Sequence, residues 1–195
     1  MALDDIAEDA AKDQRTKWIG VYIGVLAVLL AICTMGGDNV DKDAMRFNID
    51  ASDTWSFFQA KNTRRTSFRL AADDLELMLK ANPTLDATAR AAVQTKIDEY
   101  KAQDKKLTSD PEKKEGLDEL FQKGRMLEAQ RDAALAQDPY FDWSNALLQI
   151  AIVLASVSII SGSLMLLAVS GALGALGAFL MLNGFFMIVA VPGIS

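Results

Sequence analysis

Residues 143–195 read WSNALLQIAIVLASVSIISGSLMLLAVSGALGALGAFLMLNGFFMIVAVPGIS, and none of these 53 side chains ionises. As one straight helix the run would measure about 80 Å, more than twice a bilayer core of about 30 Å. It has to fold back. The break is placed at Ser170-Gly171, which gives one span over 144–169 and another over 170–195, with Pro192 and Gly193 ending the last helix. In lipid every backbone N–H and C=O must pair internally, so the segments are read as helices. Burying a run this apolar in a water-soluble core would take far more protein than 195 residues supply, which excludes a wholly soluble domain.

Working towards the N-terminus, Asp38 to Asp142 holds 17 basic and 21 acidic residues, a composition unlike that of the tail. Before it, Trp18 to Met35 is free of charge for 18 residues, about 27 Å of helix and enough for a further span. The first 17 residues form an acidic tail. Asp4, Asp5, Glu8, Asp9 and Asp13 argue against a cleaved signal peptide, as does an apolar core longer than such peptides carry. Leu30-Ala31-Ile32-Cys33 approaches a lipoprotein cleavage box, but Ile32 is too bulky beside the cysteine. Trp18 opens the first span, and Tyr140, Phe141 and Trp143 open the second, where aromatic rings settle at headgroup depth. These four are the expected interface anchors. Lys12, Arg15 and Lys17 precede the first span and Lys42 and Arg46 follow it, so the positive-inside rule places the N-terminus in the cytoplasm and residues 36–143 in the periplasm.

Small residues recur at helical spacing in each span. Gly20, Gly24 and Ala27 line the first, Ala151, Ala155, Ser158 and Gly162 the second, and Gly174 and Ala178 the third. Such seams let helix backbones approach closely, so they are the expected packing positions, within one chain or between copies. No Asp, Glu, Lys or Arg lies in a span, whereas ion relays and proton pumps depend on intramembrane charge. Asn183 is expected to make an interhelical hydrogen bond.

The segment over 36–143 reads as helix, with a coiled-coil-like hairpin as its form. One helix is expected from about Val40 to Ala81, stopped by Asn82-Pro83, and a second from Asp86. A third is expected to open at Pro111 behind Thr108, Ser109 and Asp110, unless 86–137 is one helix kinked there. The stripe Leu117, Leu120, Gly124, Leu127, Arg131 and Ala134 has the three-four spacing of a coiled-coil seam. Both ends of the hairpin meet the same leaflet. Its apolar pattern, which includes Trp55 and Phe58, lapses at Gln59, Lys61, Asn62, Arg64, Arg65 and Arg69, and Trp55, Phe58, Gln59, Lys61, Asn62, Arg64 and Arg65 are assigned to a partner or inter-subunit contact. A solvated face, with Arg69 and Asp73 pairing one turn apart or the basic residues pairing with acids of the returning helix, competes with that reading.

Subtraction narrows the chemistry. The chain has no His and one Cys, so haem ligation by His, His-bound zinc or copper and a His-based catalytic triad are excluded, and no intrachain disulfide can form. A net charge of −6 speaks against a general nucleic-acid binder. No phosphate-binding loop, nucleophile elbow or dinucleotide fingerprint occurs. The expectation is an all-α membrane protein without cofactor or metal that works as a non-enzymatic structural or accessory subunit. Its partners are the lipid bilayer and either further copies or a larger membrane complex. The alternative is an oligomeric channel or transporter whose uncharged pore draws on Ser156, Ser158, Ser161, Ser163 and Asn183.

Three stretches carry a family likeness: Asp38-Asn39-Val40, then the run from Trp55 through Ser56, Phe57, Phe58, Gln59, Ala60, Lys61, Asn62 and Thr63 to Arg64, and Tyr140-Phe141-Asp142-Trp143-Ser144-Asn145-Ala146-Leu147-Leu148. Together they resemble the bacterial domain of unknown function 4337 family, over nearly the whole chain beyond the N-terminal tail. The resemblance implies a bacterial inner-membrane setting and the order span, helical domain, two closing spans. It implies no activity.

Overall fold

Pro83 sets the end of the first helix. In the computed structural model, which describes residues 2–191 with side chains from 13 onward, α1 runs unbroken over Ala2–Ala81 and stops where Pro83 forbids continuation. Pro192, Gly193 and the acidic side chains before Asp13 lie outside the described residues. Four helices follow: α2 (Ala87–Thr108), α3 (Leu117–Leu135), α4 (Asp138–Ser161) and α5 (Leu164–Phe186), with no strand among the described residues. The helices divide into two units, residues 1–44 with 132–195, and residues 45–131.

The first unit joins the start of α1 to α4 and α5. Ile19, Leu26, Cys33 and Val40 recur every seven residues on the buried side of α1, the spacing of a left-handed supercoil seam. Leu148, Ala151 and Ala155 of α4 and Leu180 and Met181 of α5 are buried with them. Three stretches, in α1, within 117–161 and in α5, are long and apolar enough to cross a membrane.

Two expectations change here. The first helix does not restart at Val40, because Gly36 and Gly37 continue it. Their poor helix propensity, about 1 kcal/mol each, is offset by the close seating of the Phe141 ring, since a Cβ on Gly36 would stand 2.5 Å from Phe141 Cε1. The second break lies at Gly162-Ser163 and not at Ser170-Gly171, so 144–169 and 170–195 are not the two helical segments. Gly162 ends α4 with φ +68, a left-handed cap that only glycine adopts freely. Ser170 and Gly171 sit inside α5.

The second unit comprises the rest of α1, α2 and most of α3. Asp86 caps α2, its Oδ2 accepting from the Thr88 and Ala89 amides. Ile97 of α2 and Leu117, Leu120, Gly124 and Leu127 of α3 are buried against the α1 face that includes Ala51, Thr54 and Ala72. Pro111 opens no helix. Asp110 does accept from the Lys113 and Lys114 amides, but Lys114 turns left-handed at φ 55 and ends the turn, so α3 begins only at Leu117. Glu119 then closes this loop, accepting from Ser109 Oγ at 2.7 Å and from the Asp110 amide at 3.2 Å. The Ser109 hydroxyl chiefly holds the Glu119 carboxyl below its usual pKa.

Candidate functional site

Within the three apolar helical stretches several hydroxyls are buried while large apolar side chains are exposed. Ser144, Ser158 and Ser170 are fully buried, while Val25, Val28, Ile150, Val153, Leu176 and Phe179 are exposed. Each hydroxyl finds a carbonyl. Ser144 Oγ donates to Gly177 O at 2.8 Å, and Ser170 Oγ to Ala151 O at 2.6 Å, tying α4 to α5. Tyr22 OH donates to Ser170 O at 3.0 Å and brings α1 into the same network, while Ser158 Oγ donates to Ala155 O within α4. Interhelical bonds of this kind are worth about 0.6 kcal/mol on average between membrane helices, and they give each buried hydroxyl an acceptor.

The small-residue seams are used unequally. Ala151, Ala155, Ser158 and Gly174 are buried and Ala178 is half-buried. Tyr22 and Leu26 fill the space beside Gly174, where an added Cβ would meet both at 2.9 Å. Gly20, Gly24 and Ala27 are exposed, with nothing within 4 Å of a Cβ at either glycine, and Gly162 serves the turn and no packing contact. Within the chain the close approach of α1 is made at Gly36 and Gly37, which sequence reasoning passed over. A paired glycine at the end of an apolar run was the available signal.

The aromatic positions also divide. Trp18 and Trp143 are 68% and 55% exposed, as interface residues would be, but Tyr140 and Phe141 are 3% and 1% exposed and so are not surface anchors. Phe141 stacks edge-on against Phe185 at 4.9 Å, and a Cβ on Gly184 would meet its ring at 3.0 Å. Tyr140 OH accepts from the Val191 amide. Asn183, expected to bond another helix, instead holds the chain just beyond α5. Its Nδ2 donates to Val189 O at 2.8 Å and its Oδ1 accepts from Val189 N at 2.9 Å. Beside the start of α4, burial first and then Asp41 and Asp142 push the Asp138 carboxyl up from 3.8. Arg15 Nη2 donates to Gly162 O at 2.9 Å.

In residues 45–131 the aromatic-basic patch proves to be the place where α1 receives α2 and α3. Trp55 packs edge-on against Phe58 and Phe121, each at 5.6 Å, and its Nε1 donates to Glu128 at 3.0 Å. Gly124 lies flat on the indole, where a Cβ would stand 2.8 Å from Cε2. Lys61 donates to the Glu115 carbonyl, and Arg65 pairs with Asp104 at 3.6 Å. Lys101 of α2 reaches back to Glu76 at 2.5 Å. Of the two expected pairings, Arg65–Asp104 is the one with an acid of the returning helix. Gln59 and Arg64 stay exposed, so five of the seven patch residues face inward and two do not. Phe58, Asn62, Arg65, Leu117, Phe121 and Met126 border an open cleft of about 940 Å³. Among the described residues no group of three or more Cys, Asp or Glu converges to hold a metal ion.

The helices and this inward placement of hydroxyls define an all-helical chain with three helices fit to cross a membrane. The sequence model of DUF4337, a domain of unknown function, matches residues 15–187. The chain belongs to that family. No curated protein and no solved structure matches it.

Proposed function

We propose that the chain is a three-span protein of the bacterial inner membrane that works without catalysis, as a self-assembling subunit or an accessory part of a larger membrane complex. The observation that carries this reading is that the three charge-free helical stretches bury hydroxyls and expose large apolar side chains. Ser144, Ser158 and Ser170 are buried and Val25, Val28, Val153, Leu176 and Phe179 are exposed, an arrangement suited to acyl chains and unfavourable in water. The reading sets residues 45–131 outside the bilayer as a helical domain. Three cations before the first span against two after it support a periplasmic side for that domain. A non-enzymatic role is supported by the lack of His and of nucleotide or nucleophile motifs in the sequence. The serine set of a channel is split in this fold: Ser156 and Ser161 are exposed and back-bonded to their own helix, and Asn183 is a cap.

Carbonate washing of membranes combined with impermeant maleimide labelling tests the placement. Asp74→Cys is expected to label in intact spheroplasts and Ser163→Cys only in inverted vesicles, with the protein resisting the wash. Labelling of both from one side, or release by carbonate, would overturn it.

A further inference from the structure

Between α1 and α5 a groove of about 320 Å³ opens on the surface of the first unit, lined by Arg15, Trp18, Ile19, Tyr22, Leu167 and Gly171. Arg15, Trp18, Ile19 and Tyr22 fall at i, i+3, i+4 and i+7, so they share one face of α1 over about 10 Å of helix. The groove is therefore ordered along its length, with a guanidinium at one end and apolar and aromatic wall beyond it. Arg15 is the only charged residue of the six. Its Nη2 donates to Gly162 O at 2.9 Å, which fixes the cation beside the turn between α4 and α5 and uses one of the five N–H donors of a guanidinium. Lys17 and Asp13 pair with each other at 2.7 Å, so the acid closest to Arg15 along α1 is matched by a cation. Gly171 supplies the room. A Cβ there would meet nothing within 4 Å, whereas one on Gly174, a turn further along α5, would meet Leu26 and Tyr22 at 2.9 Å. Glycine costs a helix about 1 kcal/mol. At Gly174 the close approach of α1 offsets that cost, and at Gly171 no such contact is made.

We propose that this groove holds a phospholipid of the surrounding bilayer, one acyl chain lying along Gly171 and the phosphate on Arg15. The proposal deepens the membrane reading and rests on it. Three features select a phospholipid. Both walls belong to helices long and apolar enough to cross a membrane, so in that setting the groove opens onto acyl chains. Arg15 precedes the charge-free stretch that Trp18 begins, and Trp18 is 68% exposed, which puts the guanidinium at headgroup depth, where lipid phosphates lie. A guanidinium pairs with phosphate through parallel N–H donors, and basic pockets between membrane helices take lipid headgroups in this way. The volume stands at the small end of ligand sites, which run from about 300 to 1,000 Å³, and suits one chain with the second left in the bilayer.

Native mass spectrometry of the full chain, released from nanodiscs that contain phosphatidylglycerol and diacylglycerol of matched chains, tests the site. Wild type is expected to carry one phosphatidylglycerol per chain, retained several-fold over diacylglycerol. Gly171→Leu, which fills the groove, is expected to lose that lipid, whereas Gly20→Leu, on open surface outside the groove, keeps it. Arg15→Gln is expected to erase the preference for phosphatidylglycerol and Arg15→Lys to retain part of it, with helicity unchanged in each. A wild type without lipid, equal retention by Gly171→Leu and wild type, or equal retention of the two lipids by wild type would overturn the site and leave the membrane reading intact. So would a lipid-free dimer that Gly171→Leu converts to monomer, which would give the groove to a second copy. Release of the chain from membranes by carbonate would sink the site and the membrane reading together.

Discussion

At Gly36 a single methyl group decides whether the first unit closes. An alanine there would bring its Cβ to 2.5 Å from Phe141 and 2.7 Å from Phe185, and crowding of this kind costs about 1–3 kcal/mol. The gain in helix propensity, about 1 kcal/mol, does not cover it. Gly36→Ala is therefore expected to lower stability in detergent titrations followed by circular dichroism, whereas Gly20→Ala, with open space around it, holds or raises stability. Asp138 gives a pH dependence of definite sign. Its carboxyl is raised above 3.8 by burial and by Asp41 and Asp142, so the folded state binds that proton more tightly than the unfolded one does. The associated stability is full at acid pH and is lost as pH rises through the raised value. Asp138→Asn should melt higher than wild type at neutral pH and level with it well below 3.8; an equal gain at both would refute the assignment. Neither residue stood out in the sequence, because a glycine's neighbour and a carboxylate's burial are both set by chain about a hundred positions away.

The elements were more legible than their joints. Apolar runs free of charge announce helices wherever lipid is the solvent, and Pro83 and Asp86 mark a stop and a start by stereochemistry alone. The joint between α4 and α5 was misread because 161–163 and 170–171 offer the same chemistry, serine beside glycine. What separates them is tertiary. Ser170 spends its hydroxyl on Ala151 across the interface, while Gly162 is left-handed with empty space where a Cβ would be. Gly162→Ala is accordingly expected to cost about 1–2 kcal/mol through the backbone alone. Gly162→Asn should cost less, and the two can be ranked by unfolding in mixed micelles. The aromatic-basic patch of α1 was visible as an anomaly of pattern, but not its use. Indole against glycine and lysine against a loop carbonyl are pairings that only the folded hairpin of α1, α2 and α3 brings together.

For the whole molecule, the three tryptophans report on two environments. Trp18 and Trp143 are exposed on the unit read as membrane-embedded, and Trp55 is half-buried in residues 45–131 under Phe58 and Phe121. Single-tryptophan variants reconstituted with brominated lipid are expected to show quenching for Trp18 and Trp143 and none for Trp55. Quenching of Trp55 would bring the helical domain down onto the bilayer and contradict the proposed placement. The number and order of the helices fit to cross a membrane follow from length and charge, so the sequence carried them. Which side the domain occupies rests on three cations against two, too small a difference for the sequence to impose strongly.

Cys33 is wholly enclosed by its neighbours, its Sγ lying 3.5 Å from the Phe141 carbonyl. A thiol sealed in this way is shielded from aqueous alkylating reagents, and it is the chain's only one. The wild-type protein can therefore serve directly as the background for site-selective spin labels or fluorophores, and distances along α1 can be measured without first engineering the native sulfur away.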